Sequence, residues 1–392
     1  MTSSLVPPLS KSDAQRALVL AEVTGVPFAS VWPEGEAMPR DVAVLRDGLV
    51  ALRASTATID CHDGGAPFRF LLGQAAVSPG RRVTFTGTAR LGERPHAPLL
   101  AALQAAIPGL KLEAGSPWPL VVTTPERIDL QRMVVSGVQS SQFASSVLLA
   151  AAKVATRTGH PVDVVIDGAL ASEGYFALTR RWVEAFGGLD GTSVRPLSPP
   201  ARVPPIPGDW SSLGYLLALS WVARLPVERI VEHSGHPDES LLTHFASVGL
   251  SLDANCIVSG APRAGFTVDA ASCPDSVPLL AALATRLPAP SRFSRAAILK
   301  VKESDRLAGT VELLRAAGHD ARVDDDVLHV TPGTPRAFSF DARDDHRMAM
   351  SAAVLARLHG VKLTLTGRDS VQKSFPGFWT EAAKADVDVA FA

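Results

Sequence analysis

Residues 298–307 read ILKVKESDRL, and the reading of this stretch decides the fold. Residues 296–301 are apolar except for Lys300 and predict a short strand. Ser304 suits a helix N-cap, and Leu307, Val311, Leu314 and Ala317 then recur at helical spacing until Gly318. A strand that runs straight into a helix leaves Lys302, Glu303 and Arg306 at the junction. Unpaired backbone N–H groups and the positive end of the helix dipole meet there, which suits an anion. Such a corner can hold a phosphate or carboxylate and move a proton beside it. A capped helix with a solvated, charged first turn would read the same way locally.

Working outward, the alternation of strand and helix continues in both directions. Helices are expected over residues 10–25, 41–52, 66–76, 98–106, 140–155 and 172–186, with Ser172 capping the last of these. Further helices are expected over 211–223, 238–248, 273–287, 304–317, 344–358 and from 373 onward. Strands fall near residues 58–61, 82–85, 111, 120–123, 133–136, 162–166, 327–331 and 363–365. About twelve helices result, six on each side of residues 199–207, which hold five prolines in nine positions and read as a linker. No literal repeat is visible, yet the element pattern is quasi-repetitive. Strands alternating with helices argue α/β layers, and two similar halves with a cleft between them is the simplest packing.

Composition narrows the function. The chain has 392 residues, 46% hydrophobic and 20% charged, which fits a soluble globular protein of two domains. A net charge of −1 gives no global attraction for nucleic acid or an anionic membrane, so a basic site must be built locally. Cys61, Cys256 and Cys273 are sparse, odd in number and far apart, a pattern suited to a reducing cytosol. The first eight residues have no basic region followed by an apolar run, and no apolar stretch reaches membrane-spanning length. Neither metal-ligand spacing nor a glycine-rich nucleotide motif is present.

Eight cations share one feature. Lys11, Arg16, Arg69, Arg94, Lys302, Arg306, Arg347 and Lys373 all fall at or near expected helix starts. Cations there face the positive dipole end, at a cost of about 0.3–1 kcal/mol each. Repetition of that placement in both halves favours a shared pocket for polyanions. Ser12, Ser140, Ser141, Ser172 and Gln142 supply hydroxyls and an amide nearby, although each serine is also simply a good N-cap. Asp275 and Glu303 are candidate general bases or merely dipole-stabilised carboxylates. Tyr175 can pack against a ligand ring or stand as a partly buried structural tyrosine. Gly64-Gly65 would let backbone approach a phosphate.

Read together, these residues resemble the 5-enolpyruvylshikimate-3-phosphate synthase family of enolpyruvyl transferases along nearly the whole chain. Ten family motifs occur in order: PLSKSDAQR (8–16), DGGAPFR (63–69), RLGERPH (90–96), SSQF (140–143), SEGY (172–175), GDWSS (208–212), PD (274–275), VKESDR (301–306), DHRMAM (345–350) and KSFP (373–376). The resemblance implies an inside-out α/β barrel in each of two similar domains, built from repeated βαβαββ units around an interdomain cleft. Residues 10–206 would form the shikimate-3-phosphate side. Residues 1–9 and 207–392 would complete the phosphoenolpyruvate site.

It also implies the reaction. The enolpyruvyl group of phosphoenolpyruvate would pass to the 5-hydroxyl of shikimate 3-phosphate, with release of phosphate, in the shikimate pathway to chorismate and the aromatic amino acids. No metal or cofactor would take part, and closure around the ligands would expel water. A cytoplasmic monomer that touches neither nucleic acid nor membrane is the corresponding expectation. Carried over by position, Lys11, Arg94, Arg306, Arg347 and Lys373 would hold phosphoenolpyruvate, with Gly65 close by. Ser12, Arg16, Ser140, Ser141, Ser172, Tyr175, Asp275 and Lys302 would hold shikimate 3-phosphate, with Gln142 between the ligands and Arg69 supporting the pocket. Asp275 would be the base, and Glu303 and Lys11 would share the acid role.

The chain departs from the family pattern at several points. Leu9 replaces a glycine, Asp63 an asparagine and Ala66 a threonine, and Pro67 stiffens the next position. Ile298 and Lys300 stand where other polar residues are usual, and the lead before Lys11 is short. These changes bear on phosphoenolpyruvate affinity and on the response to the inhibitor glyphosate. Two rivals remain. The sister transferase acting on UDP-N-acetylglucosamine carries a cysteine where Ala89 stands here. A non-catalytic relative that binds phosphorylated ligands would not need Lys11, Asp275, Glu303 and Lys373 together.

Overall fold

Among the described residues, one arrangement of strands occurs three times, twice in one part of the chain and once in the other. The computed structural model describes residues 3–116 and 118–392. Residues 1 and 2, part of the lead assigned above to the second domain, lie outside the described residues. The chain divides into two units: Lys11–Ile206, and Pro207–Ala392 together with the N-terminal segment through Ser10.

In the first unit, α1 (Lys11–Thr24) and α2 (Arg40–Ala51) lead into β1 (Thr56–Asp60), α3 (Gly65–Ala76) and β2 (Arg82–Thr86). A short α4 (Ala89–Glu93), α5 (Ala97–Ala106), β3 (Lys111–Ala114) and β4 (Leu120–Thr123) follow. The sheet order is β1-β2-β4-β3, with β1 and β2 parallel and the other pairs antiparallel. Val83 and Phe85 are buried on one face of β2 while Arg82, Thr84 and Thr86 are not, the alternation a one-faced strand requires. The arrangement recurs as β5 (Arg132–Ser136), α6 (Ser141–Thr158), β6 (Val162–Asp167), α7 (Glu173–Ala185), β7 (Leu189–Asp190) and β8 (Ser193–Val194). Its order is β5-β6-β8-β7, with the same strand directions. Parallel neighbours need a crossover, and α3 and α6 supply it.

The second unit begins with α8 (Trp210–Ala223), α9 (Leu241–Val248) and a hairpin of β9 (Leu250–Leu252) and β10 (Val258–Gly260). The third copy comprises β11 (Thr267–Asp269), α10 (Val277–Ala284), β12 (Ser291–Ser294), α11 (Arg306–Ala316), β13 (Asp320–Asp324) and β14 (Val327–Thr331). Its order is β11-β12-β14-β13. A parallel three-stranded sheet of β15 (Phe338–Asp341), β16 (Leu363–Thr366) and β17 (Val389–Phe391) carries α12 (His346–His359) and α13 (Phe378–Lys384). Every residue of α10 is buried, the signature of a helix apolar on all sides at the centre of a core. The N-terminal segment joins this unit through bridges at Leu5–Val227 and Leu9–Gly208, so Leu9 has a structural place. Among the described residues, no helix is long and apolar enough to cross a membrane.

Several local expectations are corrected. Ala296–Val301 is a 3₁₀ helix and not a strand. Its buried residues, Ala296 and Leu299, are three apart, which is the 3₁₀ period and not the strand period of two. Ser304 does not cap α11; Asp305 does, accepting from the Ala308 N–H at 3.0 Å. Helix α10 starts at Val277, with Pro278 and not Pro274 in its first turn. Ser172 precedes α7 in a left-handed conformation with φ 52°, and its side chain makes no capping bond. Helix α4 takes up the expected loop as far as Glu93, and the last helix begins at Phe378.

Candidate functional site

The sequence-predicted cations collect in two clusters, one in each unit. Placement within a helix's first turn holds for three of the eight, while Arg94 and Lys302 stand shortly before α5 and α11. Lys11 and Arg306 open α1 and α11, and Arg347 is the second residue of α12. Arg94 instead follows α4, Lys302 and Lys373 close 3₁₀ turns, and Arg16 and Arg69 lie more than a turn inside their helices. Long-range partners, more than helix dipoles, fix their positions.

In the second unit Arg306 is the hub. Its side chain is 0% exposed. Nε donates to Asp345 Oδ2 at 2.8 Å, Nη1 to Asp275 Oδ1 at 2.8 Å and Nη2 to Glu303 Oε2 at 2.7 Å. A charge this deep persists only when carboxylates and hydrogen bonds surround it. Burial alone would lower the Arg306 pKa, but Asp345, Glu303 and Asp275 together raise it above the ordinary guanidinium value.

Asp345 has a second task. Its Oδ1 caps α12 by accepting from the Arg347 N–H at 3.0 Å, and Ser304 Oγ donates to its Oδ2 at 2.9 Å. One buried carboxylate therefore ties the start of α12 to the residues before α11. Arg347 grips Asp275 twice, with Nη1 donating to the backbone oxygen at 3.1 Å and Nη2 to Oδ2 at 3.2 Å. Behind it, Tyr215 donates to the Arg347 carbonyl at 3.4 Å. Lys302 Nζ lies 3.7 Å from Asp275 Oδ1, and Lys373 Nζ lies 3.6 Å from Glu303 Oε1. Burial pushes the Asp275 pKa up, but Arg347, Lys302 and Arg306 outweigh it and hold the carboxyl well below the usual range. Asp275, 23% exposed, is thus an ionised acceptor that ligand can reach.

The cluster of the first unit is built differently. Lys11 Nζ pairs with Asp41 Oδ2 at 2.9 Å, from the first turn of α1 to the first turn of α2. Gly65, the first residue of α3, lies against Arg94: a Cβ there would stand 2.5 Å from Nη1. A side chain at this position would displace that guanidinium. Arg69 Nη1 donates to Gln142 Oε1 at 2.5 Å and Nη2 to the Pro95 carbonyl at 3.1 Å, over the Phe143 ring. So Arg69 orients Gln142 at the start of α6, where Ser140 Oγ caps the helix by accepting from the Gln142 N–H at 3.2 Å. Ser141 opens α6 and is buried. His96 packs on Phe68 and contacts the Leu91 carbonyl at 2.7 Å; burial and Arg69 push its pKa down to about 4.

Arg16 is committed to protein acceptors: Thr179 Oγ1 at 2.7 Å, the Ser12 carbonyl at 2.7 Å and the Tyr175 carbonyl at 2.9 Å. Burial pushes its pKa down to about 10 against the pull of Asp13. It joins α1 to the start of α7 and so fixes Ser12 and the half-buried Tyr175. Asp63, the added negative charge, is met by Arg40 at 2.8 Å. Sequence reasoning missed Asp41, Arg40 and Asp345 as members of the clusters. For Asp345 a signal existed, since it immediately precedes a helix start; for Asp41 and Arg40 the start of α2 offered no motif.

The fold is that of the enolpyruvyl transferases. An EPSP synthase structure from Acinetobacter baumannii superimposes with a TM-score of 0.70 at 18% identity, over 99% of this chain and 97% of the other. An enolpyruvyl transferase from Streptomyces tendae gives 0.69 at 15% identity, over 99% and 95%. The sequence profile of the EPSP synthase (3-phosphoshikimate 1-carboxyvinyltransferase) family matches residues 39–381. The 3-phosphoshikimate 1-carboxyvinyltransferase of Methanoculleus marisnigri is 32% identical over 95% of this chain and 88% of its own length. That of Methanopyrus kandleri is 31% identical over 98% and 96%. The chain belongs to the EPSP synthase family.

Proposed function

We propose that the chain transfers the enolpyruvyl group of phosphoenolpyruvate to the 5-hydroxyl of shikimate 3-phosphate and releases phosphate. The observation that carries this reading is Asp275, an accessible carboxylate kept ionised by Arg306, Arg347 and Lys302, with Glu303 bound between Arg306 and Lys373. For phosphoenolpyruvate we assign Lys11, Arg94, Arg306, Arg347 and Lys373, with Gly65 and Gln142 alongside. For shikimate 3-phosphate we assign Ser12, Ser140, Ser141, Gln142, Ser172, Tyr175, Asp275 and Lys302, with Arg16 positioning Ser12 and Tyr175.

In this reading Asp275 takes the proton of the 5-hydroxyl as its oxygen bonds to C2 of phosphoenolpyruvate, while Glu303 or Lys11 protonates the C3 methylene. The resulting tetrahedral intermediate loses phosphate, and a proton leaves C3 to restore the double bond. A carboxylate held so far down is a weak base while its cations face it. Anionic ligands that engage Arg347 and Lys302 draw those cations away and raise its basicity. Both substrates carry a phosphate and a carboxylate, so many cations are needed to hold them together, and exclusion of water strengthens each contact. The three free thiols, Cys61, Cys256 and Cys273, suit a reducing compartment, and we place the reaction in the cytoplasm, carried out by a monomer.

The test is phosphate release with two acceptors. Shikimate 3-phosphate is expected to support release and UDP-N-acetylglucosamine is not. Release with the UDP-sugar alone would move the chain to the sister activity, and none with either would leave a binding protein.

A further inference from the structure

We propose that Arg40 and Asp63 form a positioning pair that balances charge at the phosphoenolpyruvate end of the first unit's cluster; this rests on the donor-site reading above. Asp63 opens the turn Asp63-Gly64-Gly65 that leads into α3. A carboxylate there would repel an incoming phosphate or carboxylate. Arg40 Nη2 meets Asp63 Oδ1 at 2.8 Å. The cation and the anion come from different elements, the first turn of α2 and the turn before α3.

The surroundings show what the pair holds. Arg40 and Asp41 are consecutive. Asp41 binds the Lys11 ammonium at 2.9 Å, while Arg40 binds the turn. Gly64 sits against the same Asp41: a Cβ on it would stand 3.0 Å from Oδ1. Gly65 sits against Arg94. The three residues of the turn therefore lie against Arg40, Asp41 and Arg94 in succession. The start of α2 sets the spacing between the Lys11 ammonium and the Arg94 guanidinium through this turn. No side chain caps α3, so its first N–H groups owe their placement to the turn as well.

The pair adds little to global stability, because the Arg40 side chain is 40% exposed and half-exposed pairs are worth about 0–1 kcal/mol. Its effect is local. Without Arg40, the Asp63 carboxylate loses that guanidinium at an anion site and the turn loses this tether.

The experiment compares wild type with Arg40→Ala and the double variant Arg40→Ala/Asp63→Asn. The single variant is expected to raise KM for phosphoenolpyruvate roughly tenfold, the scale of one partly screened charge. KM for shikimate 3-phosphate and the melting temperature should move much less. Removing the anion as well should bring KM for phosphoenolpyruvate back to within about threefold of wild type, which a merely structural contact would not do. A double variant as poor as the single, or an equal rise in both KM values, overturns the proposal. Calorimetric titration with inorganic phosphate provides a second arm independent of turnover. Weaker binding by Arg40→Ala with recovery in the double variant supports the pair even if no transfer occurs, in which case the transfer reading alone fails. Equal phosphate affinity in all three proteins, or none in any, overturns the pair.

Discussion

The two clusters use the same cation types and answer them with different partners. In the second unit Arg306, Arg347, Lys302 and Lys373 are answered by Asp275, Glu303 and Asp345. In the first unit, Arg94 lies against the Gly65 backbone, Arg69 reaches an amide and a carbonyl, and Arg16 reaches a hydroxyl and two carbonyls within the pull of Asp13; Lys11 has Asp41 and Arg40 has Asp63. A cation answered by carboxylates sets proton affinities. A cation answered by neutral groups keeps its field for a ligand. On the proposed function, the second unit adds proton transfer to its share of anion binding, and the first unit mainly holds anions.

The largest effect is expected at Asp275. Changing it to alanine should lower turnover on the order of 10²–10⁴-fold, the range for loss of a general base, while shikimate 3-phosphate binding stays within about tenfold. Retained turnover, followed by phosphate release, would take the base role from Asp275. Next comes Arg306→Met. Removing the hub takes the guanidinium from the buried Asp345 and one of the cations from each of Asp275 and Glu303, which should cost about 3–5 kcal/mol in a denaturant titration, the scale of a broken buried pair. A loss within error of zero would mean the carboxylates protonate freely and the charge contrast is wrong.

Gly65→Ala probes the first unit. The added methyl would meet the far end of a flexible arginine, so stability should change little. KM for phosphoenolpyruvate should nevertheless rise roughly tenfold because Arg94 is pushed aside, with a smaller change in kcat. An unchanged KM would remove Arg94 from the ligand.

The smallest effect concerns pH and belongs to the far end of α12. His359 contacts Thr285 at 2.8 Å and packs against His319 with ring centroids 4.7 Å apart and the planes tilted by 37°. Burial, His319 and Arg286 push its pKa down to about 4, so it is neutral in the fold. The unfolded chain, with a histidine pKa of about 6.5, binds the proton first. Stability is therefore expected to be full above that value and to fall as pH drops toward about 4. Thermal melts across this window should show the decline in wild type and a shallower one in His359→Gln. Identical slopes would exclude His359 as a source.

Much of this architecture was legible in the sequence because it rests on local periodicity. Helices α1, α2, α6, α8 and α12 carry strong apolar patterns and clear stops, such as Gly159 and Gly360 in left-handed conformations. Strands β7 and β8 have two residues each, too short to show alternation, and could not be found that way. The stretch at 296–301 misled because five apolar residues in six look like a strand, and the buried spacing of three is not visible in such a run. The site was legible where partners are close in sequence, as for Lys302, Glu303 and Arg306. Where closure spans tens of residues, as from Lys11 to Asp41 or Arg306 to Asp345, no local pattern announces it.

The central claim is that these residues deliver a proton to the methylene carbon of phosphoenolpyruvate while an acceptor hydroxyl adds to its neighbour. Nuclear magnetic resonance of the reaction with shikimate 3-phosphate in deuterated water tests it most directly. The account predicts an enolpyruvyl ether formed one-to-one with phosphate, carrying deuterium in its methylene group. Phosphate without the ether, or an ether free of deuterium, would contradict it.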